Sequence, residues 1–467
     1  MKIKGTLSIA ILASIVLSLT PVIAVSAQKI KPGSTCKTSK QRITFQSKVY
    51  TCNKSGKKLV WSQGRAIARP TPSPSTIVEA PQVVEPTPTP VPLPILSDRS
   101  IFSSISECKL TTPFSSNSEN IGFPSGANYV PSTGDIRGVV LFVDFPNLNA
   151  DKQAITEWQN NQIPTAEKGL EVMSYGRDRL KFDVVDTFFR IPQNFEAYIK
   201  DTQGNLPGST PAKSLDTANL LRDAVLAANN EIDFSKYDFV NIVTPTFNPK
   251  TEGGASGGGG FNVDGKTSFL GTLGPIDEYL NQPLKKNWLL HEVGHLNGLM
   301  HGYDYTKNPL GAWDVMANSF GLSNDLLGWN KFKLGWIDDV QIDCIANKPA
   351  SETFHLLSPI GTSSTSSKMV VLKLSANTAL VVETRRKTTI DNVSALNEGV
   401  LVYKVDTTIP QGKGAFAILS NKSKIVNLPD RNPVLVGTMK PGESLSDSGY
   451  TVSVLQSVSD GDYVSIK

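Results

Sequence analysis

Long apolar runs, cysteine and histidine are all scarce in this chain of 467 residues. After the N-terminus no segment is long and apolar enough to cross a bilayer, so we expect no transmembrane helix in the mature protein. The four cysteines lie away from the histidines, which disfavours cysteine ligands at a histidine site. Only four histidines occur, yet His291, His295 and His301 fall within eleven residues. A chain of this length exceeds one ordinary domain.

The first 27 residues have the pattern of a secretory signal peptide. Lys2 and Lys4 precede an apolar run over residues 7–19, and small residues end at Ala27, the predicted cleavage point. The run is shorter than the ~20 apolar residues of a membrane-spanning helix, which disfavours a retained anchor. We therefore expect a secreted protein, either extracellular or associated with the cell envelope.

The four cysteines are expected to form disulfide bonds, which persist in exported proteins. Cys36 and Cys52 lie close together, whereas Cys108 and Cys344 bracket the middle of the chain. Three pairings are possible. A Pro-rich segment separates the two sets, and this favours Cys36–Cys52 and Cys108–Cys344.

Charge is distributed unevenly. Residues 28–69 hold eleven Lys or Arg residues, and all 42 Asp and Glu residues follow this segment. Within it, β-favouring stretches flank a polar turn at residues 53–57, which predicts a small disulfide-linked hairpin module over residues 28–64. This basic module either binds anionic cell-envelope polymers or is simply a soluble face. We expect no nucleic-acid partner.

Three further segments follow the hairpin module. Residues 65–98 are a linker, because nine prolines between residues 70 and 94 deny it helix or sheet and favour a polyproline II spacer. Residues 99–349 are predicted to form an α/β domain, and its first part, residues 100–135, is either a propeptide remnant or part of the fold. Residues 350–467 contain short alternating runs such as "KMVVLKL", "ALVVETRR" and "YTVSVLQS", which predict an all-β domain.

Apolar patterns in the α/β segment alternate between strands and helices. "RGVVLFVDFP" (residues 137–146) and "YDFVNIVTPTF" are typical of buried strands. "TAEKGLEVMSYG" and residues 214–229 have helical spacing. We also predict a capped helix that starts at Ser323 and ends before Gly335.

The histidine cluster lies in "LLHEVGHLNGLMH". Apolar spacing predicts a helix through His291 and His295, whose side chains share one face because they are four residues apart. Glu292 between them completes HExxH, a zinc motif in which the glutamate is the general base. Gly298 can end the helix and turn the chain, so that His301 returns to the metal as the third ligand of HExxHxxGxxH, the metzincin pattern.

Three further observations support this interpretation. Single histidines on apolar faces are usually core residues, but three at this spacing are not isolated. A thermolysin-like glutamate ligand is disfavoured, because no Glu occurs between Glu292 and Glu352. Metzincins also have a methionine turn beneath the metal, and "AWDVMANS" supplies Met316, although a single methionine is more often a core residue.

These motifs resemble the immune-inhibitor-A-like family of secreted bacterial zinc peptidases, a metzincin family. The resemblance spans residues 137–467. Besides the zinc motif, the matching stretches are "LFVDFP", "MSYGRDRLKF", "IDFSKYDFV", "WDVM", "NKFKLGW", "LVVETRR", "GVLVYKVD" and "KPGESLSDSGYTVSVLQS".

The resemblance implies a metzincin-like zinc peptidase domain with His291, His295 and His301 as zinc ligands, Glu292 as base and Met316 in the methionine turn. Several relatives have an acidic third ligand, so His301 departs from them towards the commoner metzincin form. Asp304 then supports a ligand, binds calcium or is a loop residue. Asp314 is a further candidate to support the zinc ligands, and calcium sites are plausible by analogy with the family.

The expected function is that of a zinc-dependent endopeptidase acting on proteins or peptides, in which Glu292 activates a zinc-bound water. The resemblance to metzincins also implies a substrate along an edge strand near "GKTSFLGTLG".

Two rival functions are weaker. "GASGG" matches the nucleophile elbow of a serine hydrolase with Ser256 at its centre, but it lies in a Gly-rich stretch that predicts a flexible loop rather than a strand-to-helix turn. The second rival is a secreted adhesin or envelope-binding protein with an inactive metal site. Glu292 argues against it, because a structural metal site needs no base.

Overall fold

The structure of the full chain, a computed structural model, describes residues 31–45, 48–66, 92, 94–115, 118–126, 128–202, 212–245, 255–259, 262–266, 269–275, 288–304, 313–317, 325–391, 397–420, 425–426, 434–435 and 437–467. The predicted signal peptide and nearly all of the Pro-rich segment lie outside these residues. Contacts divide the chain into two units, Met1–Pro90 and Val91–Lys467. Among the described residues, no helix combines the length and apolar character needed to span a bilayer.

The first unit contains a small antiparallel sheet in which β2 pairs with three other strands. The strands are β1 (Arg42–Phe45), β2 (Lys48–Ser55), β3 (Lys58–Trp61) and β4 (Arg65–Ala66). The predicted hairpin is present as β2–β3, but its turn is only Gly56 and Lys57, because β2 continues through Ser55. The predicted Cys36–Cys52 disulfide is also present and lies beside the buried Tyr50 and Trp61.

The second unit begins with a five-stranded sheet in the order β10-β11-β9-β5-β6. Four strands are parallel, and β10 is antiparallel to β11 at the edge of the sheet. The strands of this region are β5 (Gly134–Asp144), β6 (Asp178–Arg190), β7 (Ile199–Thr202), β8 (Ala212–Leu215), β9 (Phe239–Thr244), β10 (Ala255–Gly259) and β11 (Phe269–Pro275). β7 and β8 form a separate two-stranded ribbon.

Helices cover both faces of this sheet, which explains why β5 and β9 are almost continuously apolar. The helices are α1 (Ile105–Cys108), α2 (Gln153–Glu157), α3 (Ile163–Met173), α4 (Thr217–Ala228), α5 (Trp288–Leu296) and α6 (Gly328–Lys333), with a π-helical turn at Trp158–Gln162 between α2 and α3. Val139 and Leu141 of β5 face the core that contains α4, whereas Val140 and Phe142 face the core that contains α3 and α5.

The predicted strands at residues 137–146 and in "YDFVNIVTPTF" are confirmed as β5 and β9. The helix predicted over residues 214–229 starts later, at Thr217, because Ser214 and Leu215 belong to β8. Asp216 caps the helix by accepting a hydrogen bond from the Asn219 N–H at 3.4 Å.

The C-terminal part is a β-sandwich, as the alternating runs predict. One sheet has the order β12-β14-β15-β16-β17 and the other β13-β22-β21-β20, and apolar side chains fill the space between them. The strands are β12 (Ile342–Ile345), β13 (Thr353–Leu357), β14 (Met369–Lys373), β15 (Thr378–Arg385), β16 (Gly399–Asp406), β17 (Phe416–Ile418), β18 (Ile425–Val426), β19 (Val434–Leu435), β20 (Ser444–Asp447), β21 (Tyr450–Val458) and β22 (Gly461–Ile466).

The five-stranded sheet of the sandwich is buried on both faces. Leu380 and Val382 of β15 face the second sheet, whereas Ala379 and Val381 face a core that includes Trp329 of α6. Because side chains alternate along a strand, Glu383 and Arg385 also point towards the α/β region. One face of this sheet therefore packs against α6 and against Met300 and Trp313, which flank the described gap after residue 304.

Residues 100–135 are part of this fold. Leu110 and Ile121 are buried in the core beneath the sandwich sheet, and Val130 is buried beside α5. The predicted Cys108–Cys344 disulfide links this segment to β12. The sequence left open whether this segment is a propeptide remnant or part of the fold. Its described residues are part of the fold.

Replacing both Cys108 and Cys344 by serine is expected to lower the free energy of unfolding of the second unit by about 2–5 kcal/mol, because the bond closes a long loop and both sulfurs are buried. Chemical denaturation followed by tryptophan fluorescence measures the change. The matched Cys36→Ser/Cys52→Ser variant should leave the unfolding of the second unit unaltered. Equal behaviour of the two double variants would contradict this assignment.

Candidate metal centre

Helix α5 carries the HExxH motif and ends where the sequence predicts. Gly298 adopts φ +86°, and its N–H donates to the carbonyl of His295 at 2.8 Å. The N–H of Leu299 reaches back to the carbonyl of Gly294 at 3.0 Å. A side chain at Gly298 would also meet the ring of Tyr129. The glycine therefore permits both the left-handed turn and the close approach of the segment that contains Tyr129.

The imidazoles of His291, His295 and His301 converge on one point. Nε2 of His301 lies 2.8 Å from Nε2 of His291 and 3.0 Å from Nε2 of His295, and the remaining pair of Nε2 atoms is 3.2 Å apart. Across the described part of the chain, this is the one group of three or more His, Cys, Asp or Glu side chains whose ligand atoms lie close enough to hold a metal ion.

Hydrogen bonds at the opposite ring nitrogens fix the orientation of two imidazoles. Nδ1 of His291 donates to the carbonyl of Val315 at 2.8 Å, and Nδ1 of His295 donates to the carbonyl of Leu299 at 2.8 Å. Because a carbonyl can only accept, each Nδ1 carries the hydrogen, and in the neutral imidazole each Nε2 then presents a lone pair to the centre.

The third imidazole is held neutral by its surroundings. Burial, with the neighbouring His295 and His291, lowers the pKa of His301 to about 2. Burial also lowers the pKa of His295, but the carboxylates of Glu119 and Glu292 outweigh this and raise it above its ordinary value. Glu119 Oε2 lies 3.2 Å from Nδ1 of His295.

A zinc ion fits this arrangement. Nitrogen ligands about 2.0–2.1 Å from a tetrahedral zinc ion lie roughly 3.3 Å from one another. The observed separations between the three Nε2 atoms, 2.8 to 3.2 Å, are close to this value. Converging lone pairs repel one another unless a cation lies among them, and three neutral imidazoles are a common ligand set for zinc.

Glu292 lies on α5 directly after His291 and is 5 % exposed. Its negative charge is one of the causes that raise the pKa of His295. A carboxylate near three converging imidazoles can accept a proton from a water molecule in the same space.

The methionine turn lies directly beneath α5. The N–H of Ala317 donates to the carbonyl of Asp314 at 2.9 Å and closes the turn, and Val315 within it supplies the carbonyl that orients His291. Met316 is 1 % exposed. A Cβ on Gly294 would overlap the sulfur of Met316, so the glycine inside the zinc motif allows the thioether to pack against the helix.

Asp314 organises this turn rather than approaching the imidazoles. Its carboxylate accepts hydrogen bonds from the N–H groups of Met316 and Leu327, both at 2.8 Å, and from Nδ2 of Asn330 at 2.9 Å. Burial raises the pKa of Asp314 to about 7. The turn that Asp314 holds contains Val315, whose carbonyl orients His291, and a role of Asp314 in supporting a zinc ligand stays a prediction.

The predicted start of the next helix was wrong, although its predicted end is confirmed. Ser323 lies outside the described residues, and α6 starts at Gly328. Distant acceptors replace a local cap, because the N–H of Leu327 donates to Asp314 and the N–H of Gly328 donates to Glu383 at 2.8 Å. Gly335 follows the helix with φ +74°.

Arg385 of β15 supports the methionine-turn region from the sandwich. Its side chain is fully buried, with Nε 2.9 Å from Glu383 and Nη1 3.1 Å from Asp391. Nη2 donates to the carbonyls of Trp313 and Leu326. Burial lowers the pKa of Arg385, but the surrounding carboxylates outweigh this and raise it, so the guanidinium is charged.

Asp304 forms an antiparallel bridge with Lys413 and is not one of the clustered metal-binding side chains. Within the described residues the calcium prediction finds no second group of candidate ligands. Sequence reasoning missed Glu119 and Arg385. Glu119 has no local signal, but the alternation in β15 places Arg385 on the same face as the apolar Val381 and could have identified it.

The expectation of a flexible loop at "GASGG" was wrong, because residues 255–258 lie in strand β10. Residues 269–274 of "GKTSFLGTLG" lie in β11, which is paired on both sides, and the neighbouring β10 lies at one edge of the sheet. Ser256 therefore lies within a strand and not at the strand-to-helix turn that a nucleophile elbow requires. The remaining histidine, His355, is buried and bound to Asp343 at 2.7 Å.

No protein-family model matches the chain, and a search of curated proteins finds no significant match. The resemblance to the immune-inhibitor-A-like family accordingly stays an expectation drawn from the motifs.

Replacing Gly294 by alanine should weaken both the fold and the metal site, because the new methyl group overlaps the Met316 sulfur. Overpacking of this kind costs about 1–3 kcal/mol. The Gly294→Ala/Met316→Val double variant makes room for the methyl group and should recover part of the loss. Chemical denaturation measures the loss of stability, and zinc titration measures the loss of affinity. A double variant that loses more than Gly294→Ala and Met316→Val lose together would contradict the contact.

Replacing Arg385 by methionine should destabilise the second unit by about 3–5 kcal/mol, because it leaves buried carboxylates without their partner. Denaturant unfolding measures the change. Arg179, whose ion pair with Asp135 is exposed, provides the matched Arg179→Met control and should unfold almost as the parent does. Similar unfolding of both variants would refute the proposed support.

Proposed function

We propose that the protein is a secreted zinc-dependent endopeptidase that hydrolyses peptide bonds in proteins. The observation that carries the proposal is the convergence of three Nε2 atoms within 3.2 Å beside the buried carboxylate of Glu292. An inactive metal site needs the three imidazoles but not the carboxylate. The HExxHxxGxxH spacing and the methionine beneath the helix favour the metzincin type.

Each residue has a distinct role in this proposal. A zinc ion held by His291, His295 and His301 would supply a Lewis acid that polarises the peptide carbonyl and acidifies water. Glu292 accepts a proton from the water molecule and donates it to the leaving amine. The hydrogen bonds at Nδ1 keep the imidazoles in one tautomer during turnover.

The substrate is expected to bind along β10 rather than along "GKTSFLGTLG" itself. Among the described strands β10 lies at one edge of its sheet, and α5 packs against both β10 and β11, so this edge lies beside the metal centre. An extended peptide can pair its main chain with such an edge. Gly257, Gly258 and Gly259 give the strand no side chains to occupy the space beside a substrate.

Membership of the immune-inhibitor-A-like family, with calcium as an additional ligand, belongs to the same proposal. Export is supported by the N-terminal sequence pattern and by two disulfides, which are compatible with an extracellular protein. The basic N-terminal sheet would let the enzyme attach to anionic cell-envelope polymers. The alternative is a catalytically inactive adhesin that keeps the metal.

Replacing Glu292 by glutamine or alanine separates the two functions. We expect each variant to bind one zinc ion but to hydrolyse denatured casein about 10²–10⁴-fold more slowly, because the proton acceptor is lost. Zinc content by atomic absorption and peptide release are the two measurements. Glu171→Gln, an exposed change on α3, is the control. Undiminished hydrolysis by zinc-loaded Glu292→Gln would rule out this role, and a parent protein that binds zinc without any chelator-sensitive hydrolysis would favour the adhesin.

A further inference from the structure

The loop between β16 and β17 reaches back from the sandwich to the third ligand. We call residues 410–416 the strap. The N–H of Gly412 donates to the carbonyl of His301 at 2.9 Å, and the N–H of Phe416 donates to the carbonyl of Gly302 at 2.9 Å. The N–H of Gly414 donates to the carbonyl of Tyr303 at 3.2 Å. The three residues starting at His301 are therefore each bound to the strap.

The strap also contacts the ring of His301. The side-chain amide nitrogen of Gln411 lies 3.2 Å from Nδ1 of His301. For Nε2 of His301 to offer its lone pair to a zinc ion, Nδ1 must carry the hydrogen. The two ends of an amide have nearly the same shape, so a half-turn of the Gln411 side chain places its oxygen where it can accept that hydrogen. In that orientation Gln411 is the counterpart of the carbonyls that orient His291 and His295.

Packing holds the strap at a fixed distance from the ligand segment. Phe416 is fully buried, and its ring meets that of Tyr403 edge-on, with centroids 6.1 Å apart. A Cβ on Gly302 would overlap the Phe416 ring, so the backbone after His301 lies directly on this aromatic side chain. The sheet of the sandwich thus supports the strap from behind.

His301 needs this support more than the other two ligands do. His291 and His295 are part of α5, whose backbone fixes their spacing, whereas His301 follows the helix end at Gly298 and lies outside any helix or named strand. We propose that the strap positions His301, so that the C-terminal sandwich completes the metal centre. This inference rests on the proposed zinc site and adds a positioning role for Gln411.

The test is the zinc affinity of the full chain, measured by competition with a chromophoric chelator. Gln411→Leu removes the acceptor and should weaken zinc binding about 10–100-fold. Gln411→Glu retains an acceptor at that position and should preserve tight binding. Gln193→Leu, at an exposed glutamine before the ribbon, is the matched control and should bind as the parent does. Cobalt-substituted Gln411→Leu should also show an altered visible spectrum.

A second pair of variants tests the backbone contact. Gly302→Ala should force the ligand segment away from Phe416 and weaken zinc binding, and Gly302→Ala/Phe416→Leu should restore part of the affinity by making room. Thermal unfolding identifies any variant that fails to fold. A parent that binds zinc while Gln411→Leu and Gly302→Ala bind equally well overturns the inference alone, whereas a folded parent that binds no zinc overturns the proposed function as well.

Discussion

The fixed orientation of three imidazoles is the constraint on which the rest of the structure depends. A ring that carries a hydrogen on Nδ1 can offer Nε2 to a metal, and it then needs an acceptor at Nδ1. The carbonyls of Val315 in the methionine turn and of Leu299 after the helix end accept from His291 and His295, and the side-chain amide of Gln411 in the strap lies 3.2 Å from Nδ1 of His301. The site is thus a property of the whole second unit and not of the motif alone.

The sandwich and the α/β layers meet through charged groups as well as apolar ones. Replacing buried ion pairs by apolar side chains is often neutral or stabilising, so Arg385 and its carboxylates are not required simply to hold the chain together. Their geometry gives a more specific reason, because Arg385 binds two carbonyls on either side of the methionine turn. Removing Arg385 or one of its carboxylates would leave buried charges without partners. The methionine turn and α6 would then lose their support together.

Local patterns in the sequence predict the parts of this site that depend on local geometry. The spacing of His291 and His295 on one turn of helix, and Gly298 after it, required no knowledge of the fold. Contacts such as Gln411 with His301 join residues far apart in sequence and leave no local pattern. The Gly-rich edge strand was misjudged for a related reason, because glycine has little strand propensity and β10 exists only through its pairing with β11.

X-ray absorption spectroscopy of the zinc-loaded full chain tests the central claim most directly. The account predicts one zinc ion per chain, surrounded by three imidazole nitrogens at about 2.0–2.1 Å and one oxygen ligand from water. The His301→Ala variant should lose one imidazole from that shell. A folded protein that takes up no stoichiometric zinc, or whose zinc has fewer than three imidazole ligands, would contradict the account.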